Sequence, residues 1–452
     1  MITRMRVMFL NSSLAIRKTS PYSLVAGAAI TVLLVLTVWA CFAPGFMSYD
    51  SVTQYRSALA QSYADSHPPI MSYVWHLCLA LIPGPQSLLV LHLALLVAGI
   101  LIWQLNLGRS RWSLLVPVIF FLPWILNFAG VLWKDVGMAF SLLIASGLLF
   151  NRERRRGLAL LGLPFLFYAF AVRHNAILAT APLLFLASIY HLRKSRVISG
   201  ILIAVVGSAA FWGLSSVVSY GFLKAERKHY ETLLMGDEIA KISVQTEQNL
   251  LPWVKQSDLD ACTPLPILYE RALCFIDRGY DPSGSLMTGQ SYEATHRLWR
   301  ETVLAHPLLS VKMRWEAFLY FLRSPQMAPA YVWQPRIMQN DLGIALFHPE
   351  MAQSLEDYVM VSQGWIASEL FKPYSWLALI VVMLAAATRM RPSPEKMQVV
   401  ALNLSALGYF ASLLVAVPSV DFRYAYWCIV ACNLSMLVMA AAWRGDEPRS
   451  IQ

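Results

Sequence analysis

Charge is scarce in this chain. Of its 452 residues, 14% are Asp, Glu, Lys or Arg, against 57% that are hydrophobic. With a mean hydropathy of +0.53, that shortage points away from a soluble domain and toward a membrane protein that crosses the bilayer many times. Walker phosphate loops, zinc-ligand spacings and Ser/His/Asp signatures are missing, so a nucleotide-driven pump is not expected. Solenoid repeats and low-complexity tracts are missing too. Cysteines number six. Cys41, Cys78, Cys428 and Cys432 lie in or beside apolar runs and read as inert core residues. Cys262 and Cys274 fall in a long polar segment, where a disulfide depends on that segment facing an oxidising compartment.

What is present is a succession of apolar runs near 22–42, 86–106, 113–130, 136–150, 157–172, 175–191, 197–220, 374–388, 398–417 and 424–443. Each approaches the length a helix needs to span a bilayer core, about 20 residues. The first is too long for a signal-peptide core and no small-x-small cleavage site follows it, so it reads as a signal anchor. The run Ile70–Ile82 is too short to cross and follows the Pro68-Pro69 break, which suggests a re-entrant or interfacial helix.

The formal charge of +10 is distributed as a topology signal, with no face for nucleic acid. With the N-terminus inside, the inner segments hold Arg4, Arg6, Arg17, Lys18, Arg109, Arg111, Arg152, Arg154, Arg155, Arg156, Arg193, Lys194, Arg196, Arg389, Arg391, Lys396, Arg444 and Arg449. The short outer loops hold only Arg56, Lys134, Arg173 and Arg423. The expected fold is an all-α polytopic membrane protein of about ten transmembrane helices, both termini cytoplasmic. It has a re-entrant or juxtamembrane helix after span one and a mainly helical outer-face segment. Residues 1–220 and 374–452 form transmembrane modules, and 221–373 the outer segment. That segment carries turn residues such as Asp281-Pro282-Ser283-Gly284. Its stretch from Val311 to Leu322 alternates basic and aromatic residues at helical spacing, which suits either the membrane surface or packing within the segment.

The unusual charged groups near the spans all fall on the outer side. They are Asp50, Asp65 and His67 in the first loop; Trp133-Lys134-Asp135; Arg173-His174-Asn175; and Asp421-Phe422-Arg423-Tyr424. Carboxylates and cations gathered at a membrane–water boundary suit a reaction between an anionic lipid and a hydroxylated acceptor.

An acid soon after span one, a downstream Pro-Pro entering a short apolar helix, and many spans with outer loops resemble the glycosyltransferase C superfamily. The closer likeness is to bacterial members with Trp-Lys-Asp, Arg-His-Asn and Asp-x-Arg-Tyr in later outer loops. The resemblance covers the membrane portion, about two thirds of the chain. It implies a hexosyl- or pentosyltransferase of the bacterial inner membrane. Such an enzyme takes sugar from a polyprenyl-phosphate donor and passes it to an envelope glycan, lipid or protein acceptor.

Carried over by residue, Asp50 matches the acid that acts as general base; its alternative is a helix cap. Asp65 matches a second acid that in some relatives accompanies Mg²⁺ or Mn²⁺. Here the spacing is not a compact Asp-x-Asp, no metal ligand is assigned, and a turn cap is the alternative. His67 stands where some relatives place a lysine near the donor phosphate. Lys134, Arg173 and Arg423 are the cations for the leaving phosphate, with pairing to Asp135 or Asp421 as the alternative. Asp135, His174, Asp421 and Tyr424 complete the substrate-binding set. Rival readings are a lipid or glycan transporter or flippase, which would need ionisable or broken-helix features at mid-membrane depth, and a surface-polysaccharide polymerase or ligase.

Overall fold

A backbone crossing lipid must satisfy its own hydrogen bonds, and the helix is the local way to do so. The computed structural model describes residues 21–108, 111–192, 197–280, 290–365 and 368–445. Among these the chain is helical, with isolated β-bridges and no strand. Arg4, Arg6, Arg17, Lys18, Arg109, Arg193, Lys194, Arg196, Arg449, the 281–284 turn and the side chain of Arg444 lie outside the described residues.

Among the described residues, four helices are long and apolar enough to cross a membrane: Val25–Phe42, Gln86–Leu107, Val197–Phe222 and Phe422–Trp443. The N-terminal part comprises α1 (Pro21–Phe42), α2 (Tyr49–Ala60), α3 (Pro69–Leu79), α4 (Gln86–Leu107), α5 (Lys134–Leu149), α6 (Arg156–Val172), α7 (Ile177–His191) and α8 (Val197–Ser216). Helix α3 is the short apolar helix expected after the double proline, and Pro69 occupies its first turn, where a missing N–H costs nothing. Helix α5 is buried along almost its whole length and packs against α4 and α6.

The stretch 113–130, expected as one span, is broken. It runs through tight 3₁₀ turns at Arg111–Leu114 and Ile119–Phe121 and single helical turns at Leu115–Val118 and Pro123–Leu126. Pro123 forces Leu122 into extended backbone, because its ring clashes with a helical predecessor. Val116, Phe120 and Ile125 are fully buried, while Leu115 and Val118 are exposed, so this irregular stretch is packed against protein along one side.

The outer segment is divided. Helices α9 (Glu231–Gln245), α10 (Gln256–Cys262), α11 (Leu268–Ile276) and α12 (Tyr292–Ala305) enclose a small core of Ile239, Leu251, Leu259 and Phe275. A disulfide joins Cys262 to Cys274. Helices α13 (Pro307–Leu322) and α14 (Pro349–Trp365) belong instead to the main core, through Phe318, Phe321, Ala352 and Val359. On α13 the 311–322 pattern resolves into two faces. Met313, Phe318 and Phe321 are buried, while Leu308, Val311, Trp315 and Leu319 form an exposed apolar stripe.

The chain closes with α15 (Pro373–Thr388), α16 (Pro394–Leu413) and α17 (Tyr426–Gly445). Helices α7 and α16 cross at Gly408, where a Cβ would lie 1.9 Å from the Leu178 carbonyl oxygen. Small residues let membrane helices approach this closely. Beside the contact, Ser405 donates to the Ala179 carbonyl at 2.8 Å.

Candidate active site at the membrane rim

The site begins with the dipeptide that leaves α1. Gly45 has φ +120, and a Cβ there would meet the Leu132 side chain at 2.6 Å, so only glycine fits this turn. Phe46 and Met47 then run extended between two other segments. Phe46 N–H donates to the Gly130 carbonyl (3.1 Å), and Leu132 N–H returns to Phe46 (2.9 Å). On the other edge Met47 N–H donates to Arg336 (3.0 Å), and Met338 N–H returns to Met47 (2.9 Å). Trp133 Nε1 donates to Ser48 Oγ at 2.8 Å, and Ser51 Oγ to the Leu132 carbonyl at 2.9 Å. These bonds fix the start of α2 against the start of α5, and so place Asp50 beside Trp133-Lys134.

Asp50 is not a capping residue. It lies inside the first turn of α2, whose N-cap is Ser48 without a side-chain capping bond. Its carboxylate faces Arg423 Nη2 at 3.5 Å and His67 Nε2 at 3.9 Å. Burial alone would raise this carboxyl, but the charges of Arg423 and Lys134 more than offset it and hold its pKa below the ordinary value. Asp50 is therefore ionised at neutral pH while remaining 39% exposed.

Arg423 is held from several directions. Its Nη2 also lies 3.3 Å from Asp421 Oδ2, and its guanidinium sits 4.3 Å from the centre of the Trp133 ring, a cation–π arrangement. Its Nε is buried with no partner. Asp421 belongs to the cluster, and burial raises its pKa although Arg423 works against the shift.

Arg173 is locked more tightly. Its Nε donates to the Tyr409 hydroxyl at 3.0 Å and stands 3.0 Å from Asp135 Oδ1. Its guanidinium lies 4.7 Å from the Tyr424 ring. Asp135 is fully buried, and neither of its oxygens receives a hydrogen bond. Arg173 is thus its charge partner, and Tyr424 forms the aromatic wall shared by Arg173 and Arg423. Lys134 differs from both arginines. Among the described residues its ammonium makes no hydrogen bond or ion pair, although Asp50, Asp135, Arg173 and Arg423 all act on it through space.

His67 sits with Asp50, and its Nδ1 is buried without a partner. Burial and the Lys134 charge push its pKa down to about 4 against the pull of Asp50. A histidine neutral at pH 7 cannot act as a phosphate-binding cation. Asp65 turns the other way. Its oxygens accept from the Tyr220 hydroxyl (2.9 Å) and the Lys228 backbone N–H (2.7 Å), tying the first loop to the segment after α8. His174 stacks near Phe170 and Trp212 and meets Ser215 Oγ at 3.3 Å, one layer outside the cluster.

Asp50 follows the end of α1, Lys134 opens α5, Arg173 follows α6 and Arg423 precedes α17. Entry and exit ends thus alternate along the sequence yet meet at one end of the bundle. Tyr409 and Ser48 are site residues that the sequence reading does not pick out. Tyr409 lies inside an apolar run, and only the tertiary fold brings its hydroxyl to Arg173. A divalent cation such as Mg²⁺ or Mn²⁺ does not fit this donor set. Asp50 and Asp421 share Arg423, Asp65 is turned away, and no group of three His, Cys, Asp or Glu side chains gathers among the described residues.

Compared with known proteins, the chain matches no family model, no curated protein and no solved structure. The site is therefore read from its own geometry: an ionised, partly exposed carboxylate facing an unpaired ammonium and two aromatic-backed guanidiniums.

Proposed function

We propose that this chain is a glycosyltransferase of the bacterial inner membrane. It takes a sugar from a polyprenyl-phosphate donor and transfers it to a hydroxyl of an envelope glycan, lipid or protein on the outer face. Ten spans with both termini cytoplasmic complete this reading. The observation that carries it is Lys134, which among the described residues makes no hydrogen bond or ion pair although it lies in the field of the Asp50 carboxylate at the bundle rim.

In this reaction the acceptor O–H gives its proton to Asp50. The acceptor oxygen attacks C1 of the sugar, and the bond from C1 to the phosphate oxygen breaks with its electron pair. The lipid phosphate that leaves gains negative charge, which Lys134 and Arg423, whose buried Nε has no partner, would meet. Arg173, committed to Asp135 and Tyr409, supplies field and rigidity, and neutral His67 orients Asp50. Inversion at C1 follows from direct displacement and comes from the family resemblance.

One structural feature favours the transporter reading: the broken stretch at 111–126, since discontinuous helices often mark transport sites. That stretch is filled with buried apolar side chains and carries no acid, so the charged rim is preferred. The test is twofold. Asp50→Asn should lower transfer by about 10²- to 10⁴-fold while membrane insertion is unchanged; unaltered turnover would remove the assignment. Lipid mass spectrometry of a deletion strain should reveal accumulated prenyl-phosphate sugar, and an unchanged lipid profile counts against the donor class.

A further inference from the structure

A cleft lies between the small outer core and the end of α16, its membrane-side wall ending four residues before Asp421. It has a volume of about 270 Å³, near the lower end of the roughly 300–1,000 Å³ typical of small-molecule sites. Its walls come from α9, α11 and α13 of the outer segment and from Leu414 to Val417 of the membrane part. The Tyr269 N–H bond to the Pro418 carbonyl (3.1 Å) holds the two sides together.

The charges in this cleft are unequally committed. Asp237 is gripped by the Arg271 guanidinium, with one bond of 2.7 Å, and Arg271 also donates to the Leu265 carbonyl. Glu238 accepts from Arg314 (2.9 Å), from Trp299 Nε1 (2.7 Å) and from Ser310. Glu231 faces His229. Each of these carboxylates has a partner. Lys241 does not: among the described residues its half-buried ammonium makes no hydrogen bond or ion pair. The remainder of the wall is apolar, including Leu234, Leu268, Met313 and Ala317. A mostly apolar recess with one uncommitted cation is complementary to an amphipathic anion.

We propose that this cleft binds an acidic membrane lipid, its phosphate against Lys241 and the upper part of its acyl region against Met313, Ala317 and Leu414–Val417. The lipid source is favoured over a soluble anion because one wall is the chain that leaves the apolar helix α16, and α13 turns its exposed apolar stripe outward from the same helix. The proposal does not rest on the glycosyl-transfer reading.

The test is native mass spectrometry of the full-length protein released from mixed vesicles of phosphatidylglycerol and phosphatidylcholine. Wild type should retain phosphatidylglycerol in preference to phosphatidylcholine. Lys241→Gln should lower that retention about tenfold, and Lys241→Arg should keep it. Ala317→Phe, which fills the cleft and leaves the charge, should also lose the lipid, with its melting temperature showing that the fold persists. Asp50→Asn should retain the lipid fully. Equal retention of the two lipids, or undiminished retention by Lys241→Gln, would overturn the proposal. Binding of dodecyl phosphate without phosphatidylglycerol would overturn its assignment to a membrane lipid.

Discussion

An ammonium kept at a membrane rim without a partner is costly unless something anionic arrives to meet it. Lys134 is in that position, whereas Arg173 has both Asp135 and Tyr409 against its Nε. On the proposed function, Lys134→Ala should therefore raise KM for a prenyl-phosphate sugar donor and leave KM for the acceptor unchanged, with Lys134→Arg restoring part of the loss; steady-state kinetics with each substrate varied would check this. His67 gives a stability signature. Its pKa falls from about 6.5 in an unfolded chain to about 4 in the fold. The unfolded chain therefore takes up the proton first as pH drops. The stabilisation is complete above about pH 6.5, declines as pH falls toward about 4, and amounts to about 2 kcal/mol already lost at pH 5. His67→Gln should remove that part of the pH dependence in thermal unfolding compared between pH 7 and pH 5. Asp50, Lys134 and Arg423 were legible in sequence because polar groups stand out in an apolar chain. The distinct fates of Asp65 and His67 were not, since a two-residue spacing does not say which way each side chain turns.

At the scale of elements, the helices were readable because long apolar runs have few alternatives, and α1, α4, α8 and α17 fall where hydropathy places them. The interruption at 111–126 was not readable, because its residues are as apolar as those of a span and only Pro117 and Pro123 mark it. Helix contacts were equally hidden, and Gly408 shows why. In sequence it is an ordinary glycine in an apolar run, yet the Leu178 carbonyl occupies the place of its missing side chain. Gly408→Ala should force α7 and α16 apart and lower the melting temperature by several degrees, about 1–3 kcal/mol. The exposed stripe of Leu308, Val311, Trp315 and Leu319 on α13 is of the kind that lies on a membrane surface, which a quenching experiment tests. Brominated lipids should quench Trp315 emission, and Trp315→Phe should remove that component from the quenching curve.

For the molecule as a whole, the proposed orientation with 221–373 outside puts the Cys262–Cys274 disulfide on the oxidising side of the membrane, where disulfides persist. After reduction, a membrane-impermeant maleimide should label these cysteines in intact spheroplasts. Labelling only after the membrane is breached would reverse the orientation and put Asp50 on the wrong face. The division of the outer segment into a part with its own core and a part shared with the bundle was not visible in composition, because both parts mix charge and apolar residues alike. The extended dipeptide Phe46-Met47 has a mechanical implication. It is clamped on one edge by 130–132 and on the other by 336–338, three residues before Asp50. A displacement of 336–338 would therefore reach Asp50 through two hydrogen bonds to Met47 and three residues of main chain; on the proposed transfer reaction, that is a route by which an acceptor touching this region would act on the carboxylate.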